Sequence, residues 1–118
     1  MAIQAKVILQ GGVEVPDAYI RTFDVSVKKD RNPDGTDGPD GFYCTCGLSV
    51  YKDASTAAVN GPQLNVPELD RMKLVNLETR SVNAGNMVSE VLGQLYGDVK
   101  EKIVELGWEA STADIEDV

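Results

Sequence analysis

Asp30-Arg31-Asn32-Pro33-Asp34-Gly35 is the stretch whose residue types come closest to a chemical site. It matches the opening of the D-x-[DN]-x-[DN]-G calcium loop. In such a loop, oxygens at alternate positions wrap a hard cation while the glycine permits a sharp turn. Asp30, Asn32 and Asp34 would be the ligands, and Asp37 and Asp40 could supply oxygens in another geometry. The pattern then fails. Gly41 stands where the loop's last ligand, a bidentate Glu, is required, and strand-like rather than helix-like sequence flanks it. A solvated hairpin tip made of turn formers is the reading adopted, with no metal assigned. A weak Ca²⁺ or Mg²⁺ site is the alternative.

Cys44 and Cys46 form the second cluster. Two residues apart on a strand, they share a face. Their Cα atoms would then lie about 6.5 Å apart across extended backbone, which strains a direct disulfide. The chain has no histidine and no other cysteine to complete a metal site. Two small buried thiols are expected. Catalysis has equally little to work with, since a Ser or Cys nucleophile needs a base and the commonest one is absent. With 19 acidic residues in 118, carboxylate pairs arise by chance and identify no acid–base couple. Neither a P-loop nor a G-x-G-x-x-G is present. No enzyme activity, catalytic residue or cofactor is expected.

A formal charge of −8 argues against a nucleic-acid partner, which calls for clustered cations. Lys28, Lys29 and Arg31 make the one basic cluster. No apolar run approaches the ~18 residues of a membrane span. The first ten residues lack the pattern of a signal peptide, so a soluble, intracellularly made protein is expected. The 42% hydrophobic and 25% charged residues are those of a globular protein, and 118 residues suit one domain spanning residues 1–118. Within it, the loop 30–41 and the tail 110–118 are expected to be flexible or ordered by a partner.

The elements that would position these residues can be read in order. Ile3, Ala5, Val7 and Leu9 alternate with polar neighbours, as in a half-buried strand. Gly11-Gly12 suits a tight turn, and Val13-Glu14-Val15 pairs back before Pro16-Asp17 breaks the ladder. Residues 19–28 form a second strand with Phe23, Val25 and Val27 on one face. Ile20 is out of phase with that set, which predicts a bulge near Arg21-Thr22. Residues 42–51 form a third, facing Phe42, Cys44, Cys46, Leu48 and Val50 one way. These two strands make a long hairpin with an extended polar tip over residues 30–41. Residues 52–58 are either one helical turn capped by Asp53 or an irregular excursion. Residues 72–79 are a further strand, the preferred reading, or the start of a helix running from Pro67.

Residues 84–108 read as one amphipathic helix, capped by Ser81 or Asn83. Val88, Val91, Leu92, Leu95, Tyr96, Val99, Ile103 and Leu106 fall on one arc, and Glu90, Gln94, Asp98, Glu101 and Glu105 opposite. Gly107 and Trp108 suit a Schellman stop. Along one side runs a ridge of small residues four apart: Gly85, Ser89, Gly93 and Gly97. Helical glycine costs about 0.5–1 kcal/mol relative to Ala, so the ridge signifies tolerated weakness or another backbone close by. Packing inside the subunit and a subunit interface both fit, and the interface is the one expected. The predicted core joins Phe23, Val25, Val27, Cys44, Cys46, Leu48 and Val50 to Val88, Leu92, Leu95, Val99 and Ile103. The fold class is α+β: an antiparallel sheet or small barrel of four or five strands, with one long C-terminal helix docked on it.

The Met1-Ala2-Ile3 opening strand, the run from Gly12 through Val15-Pro16-Asp17-Ala18-Tyr19-Ile20-Arg21, a polar loop, the Leu48-Ser49-Val50-Tyr51-Lys52 strand end with its Ala-rich sequel, and a C-terminal helix ending in Asp117-Val118 carry a resemblance. In length and order the chain resembles small virion structural proteins of tailed bacteriophages. The resemblance implies a non-enzymatic assembly protein of the tail, baseplate or neck, made in the host cytoplasm and residing in the virion. Its partners would be itself and other virion proteins, with neither nucleic acid nor membrane. An alternative of another class is a small binding or adaptor module that holds a partner or Ca²⁺ through the Asp-rich loop.

Overall fold

The computed structural model describes residues 2–77 and 87–118, with the backbone alone for residues 87–89. Five strands form one antiparallel sheet: β1 (Ile3–Ile8), β2 (Glu14–Arg31), β3 (Asp37–Tyr51), β4 (Arg71–Leu74) and β5 (Glu116–Asp117). Their order is β4-β3-β2-β1-β5, so the sheet is open with β4 and β5 at its edges, and the barrel alternative does not apply. A short helix α1 (Ala54–Ala58) follows β3, and the long helix α2 (Met87–Glu105) lies between β4 and β5 in the chain. The fold is α+β, with the long hairpin and the docked C-terminal helix both present. The capping residues Ser81 and Asn83, and the helix start at Ala84, lie outside the described residues.

Gly11 and Gly12 take φ of 93° and 85°, which lets the β1–β2 turn close with Leu9 N–H on the Val13 carbonyl at 2.8 Å. Pro16-Asp17 does not end the ladder as expected. Ala5 pairs Ala18 and Val7 pairs Val15, so β2 carries one extra residue there and continues as a bulged strand. A proline without an N–H fits where a ladder bond is missing anyway.

The hairpin departs from expectation in two ways. Its ordered pairing reaches much further, leaving only residues 32–36 as turn. Gly35 takes φ 87°, and Asn32 N–H meets the Thr36 carbonyl at 2.8 Å. The bulge also falls two residues later than predicted. Phe23 pairs Gly47 and Ser26 pairs Thr45, so the extra residue lies between them, where Asp24 takes φ 51°. Phe23 therefore stays in phase with Tyr19 and Arg21, on the face away from the core. Val25 and Val27 return to the Cys44 side, but beyond Ile20, the last β2 residue paired with β1. Phe23, Val25 and Val27 are 44, 42 and 48% exposed, so none belongs to the core assigned to them, and Phe42 is 41% exposed. Ile20 takes that place.

The core lies between the helix and one face of the sheet. Ile3, Val7, Ile20, Cys44, Cys46, Leu48 and Val50 pack there with Val91, Leu95, Val99 and Ile103. Leu92 is only partly buried at its margin, and the side chain of Val88 lies outside the described residues. Tyr96 pins the helix across the sheet, its Oη accepting the Thr22 N–H at 2.9 Å just past the end of β1 pairing. The helix stops as its sequence requires. Gly107 has φ 78°, Trp108 N–H reaches the Ile103 carbonyl at 3.1 Å, and Gly107 N–H reaches Val104 at 2.9 Å. The tail, expected to wait for a partner, pairs within the chain instead. Ile115 is buried, β5 adds to β1, and Lys100 holds Asp117 at 2.8 Å.

Candidate functional site

The loop carboxylates are brought near one another but each is engaged separately. Asp30 lies across Gly38, where a side chain would collide with its carboxylate, and accepts the Asp40 N–H at 3.1 Å. Asp34 accepts from the Thr36 hydroxyl at 2.6 Å and from its N–H at 3.0 Å; these bonds hold its carboxyl below the usual range. Asp37 faces Lys29 at 3.3 Å, and Asp40 binds Lys73 at 2.7 Å. Asn32 spends its amide on Thr36 and on the Asp37 carbonyl. Among the described residues no group of three or more metal-ligating side chains converges. The arrangement ties a hairpin tip together by local side-chain-to-backbone bonds.

Cys44 and Cys46 are free, fully buried and on the core face. Burial pushes both thiols up in pKa, away from the reactive thiolate. Asp53 caps α1, accepting from Thr56 N–H at 2.8 Å and Thr56 hydroxyl at 2.7 Å, which settles the helical-turn reading of that segment.

The small-residue ridge is resolved in part. Gly85 lies outside the described residues, and of Ser89 only the helical backbone is described. Among the described residues, a Cβ built on Gly93 or Gly97 meets nothing within 4 Å. No described backbone packs against these two glycines. Each leaves a shallow gap in the helix surface, and Glu101 and Glu105 continue the same line, both exposed.

One surface was not anticipated from the sequence: the sheet face that the helix leaves uncovered. Cross-strand register places Arg21 beside Ser49, then Phe23, Gly47 and Arg71 in one row, Ser26, Thr45 and Lys73 in the next, and Lys28 beside Tyr43 in the last. Phe23 lies flat over Gly47, where any side chain would collide with its ring. Lys73 sits 4.7 Å from the Tyr43 ring centroid and Arg21 4.9 Å from that of Tyr51. Arg21 also donates to Tyr51 Oη at 2.9 Å and Asn60 Oδ1 at 3.2 Å. A glycine inside an otherwise regular strand was the available signal, because such a glycine marks a close approach.

No helix among the described residues is long and apolar enough to cross a membrane. No protein-family model, curated protein or solved structure matches the chain.

Proposed function

We propose that this chain is a non-enzymatic structural subunit of a tailed-bacteriophage virion, in the tail, baseplate or neck, acting through protein–protein contacts. The observation that carries the assembly reading is the distal half of the β2–β3 hairpin. Past the end of β1 pairing, β2 becomes the outer strand beside β3 and, as far as Cys44, β4, and the hairpin displays Val25, Val27 and Phe42 to solvent. Exposed apolar residues gathered on one projecting element favour a binding partner. Beyond Ile20 the outer edge of β2 also has no neighbouring strand among the described residues, and an open edge is a template for strand addition. The virion assignment itself rests on the sequence resemblance.

A mass-spectrometric inventory of assembled particles from the source of this chain tests the assignment. The chain should appear at a fixed ratio to the major structural proteins, and its absence sinks the reading. A Val25→Asp, Val27→Asp variant should fold and fail to be incorporated. The adaptor alternative is weaker, because the loop carboxylates it would use are already held by Lys29, Lys73, Thr36 and the Asp40 N–H.

A further inference from the structure

We infer that the uncovered sheet face is a docking site for the α2 helix of a second copy of this chain, with Phe23 of one copy seated at the Gly93–Gly97 gap of the next. This deepens the assembly reading above and rests on it.

Charge is the first argument. The chain carries −8 overall, yet the uncovered face gathers Lys6, Arg21, Lys28, Arg71 and Lys73, five of its 11 basic residues. Lys73 is paired with Asp40 and Arg21 is bound to Tyr51 and Asn60, while Glu14 and Glu116 lie at the β1 end of the same face. The solvent side of α2 presents Glu101 and Glu105 instead. Among the described residues, neither these two nor Lys28 and Arg71 form an ion pair. One molecule thus shows complementary potentials on two different faces, which favours association between copies over binding of a free polyanion.

Shape and spacing agree. Phe23 is a half-exposed ring lying flat at the middle of the cationic face, and the two glycines leave room for a ring on the helix. Gly97, Glu101 and Glu105 recur every four residues, about 6 Å per step. On the sheet, the rows of Phe23, Lys73 and Lys28 recur every two β3 residues, about 7 Å per step. With Phe23 over Gly97 and the helix along β2, Glu105 comes level with Lys28, while Arg71 lies on β4 in the row of Phe23. The two patches differ, so the contact is heterologous and propagates into a ring or an open stack instead of closing as a two-fold dimer.

The test is a charge swap on the full chain, read by sedimentation velocity with circular dichroism on the same samples. One variant carries Lys28→Glu and Arg71→Glu; the other carries Glu101→Lys and Glu105→Lys. Wild type should self-associate, more strongly at low salt. Each variant alone should remain folded and associate at least about tenfold more weakly. An equimolar mixture should regain association, because each variant then offers the face the other lacks. Gly97→Leu should fold and not associate. The inference is overturned if wild type is monomeric, if the single variants associate like wild type, or if folded variants fail to restore association on mixing. It is also overturned if a labelled single-stranded oligonucleotide binds wild type and is lost with Lys28→Glu, Arg71→Glu. A chain present in particles but indifferent to the swap removes only this inference. Swap-dependent association of a chain absent from particles removes only the virion assignment.

Discussion

Cys44 and Cys46 lie on the core face of β3, opposite Leu74 and Met72 of β4, with no solvent contact. A thiol must ionise to react, and burial opposes ionisation. Alkylation of the native protein by iodoacetamide should be at least about tenfold slower than in urea, since it requires the sheet to open. Equal rates would mean that the β3–β4 pairing does not persist in solution. The loop carboxylates differ in exposure yet are also committed, each to its own donor. Asp30, Asp34, Asp37 and Asp40 would have to give up those bonds before converging on a cation. Millimolar Ca²⁺ should therefore leave the melting temperature unchanged. A ligand bound only by the native state must raise stability, so a concentration-dependent increase would establish a calcium site after all.

The helix α2 is the element on which the core depends. Leu95 is fully buried in the same core cluster as Ile20 and Val50, with Tyr96 beside it bonded to Thr22. Leu95→Ala should cost about 2–5 kcal/mol in urea denaturation, the usual range for emptying a buried leucine site. A change within about 0.5 kcal/mol would show that the helix is not docked. This helix, with its Gly107 stop, was readable because its period, its polar face and its terminator agree over residues 91–108. The alternation of β1 and β3 was equally plain. The course of β2 was not. Ile20 against Val25 and Val27 revealed that a phase change existed, but alternation cannot say which residue absorbs it, and a positive φ at Asp24 has no strong sequence signature. That single uncertainty sent Phe23 to the wrong face and hid the cationic surface around it. The hairpin tip was misjudged for another reason. Turn-forming residues signal a lack of apolar packing, whereas Asp30 and Asn32 order the strands by bonding to backbone.

At the scale of the whole molecule, the sheet has two unlike faces and an elongated outline, 46 × 31 × 29 Å. One face is buried under α2 except where the distal hairpin exposes Val25, Val27 and Phe42; the other carries cations around a flat aromatic ring. A subunit of the kind proposed would need distinct surfaces in fixed relation, and the two faces of this sheet offer them. The pairing of β5 with β1 has a consequence of a different kind. Ala2 and Val118 exchange two backbone hydrogen bonds, at 3.1 and 2.9 Å, so the described chain runs out and returns to its own beginning. Topologically it is almost a circle, and where that circle is cut should matter little to the folded product. A circular permutant that joins the two ends through a short glycine-serine linker and opens at Gly11-Gly12 should keep the far-ultraviolet dichroism and cooperative melting of the parent. Loss of the cooperative transition would show that the covalent β1–β2 turn, and not the meeting of the ends, holds that edge of the sheet in register.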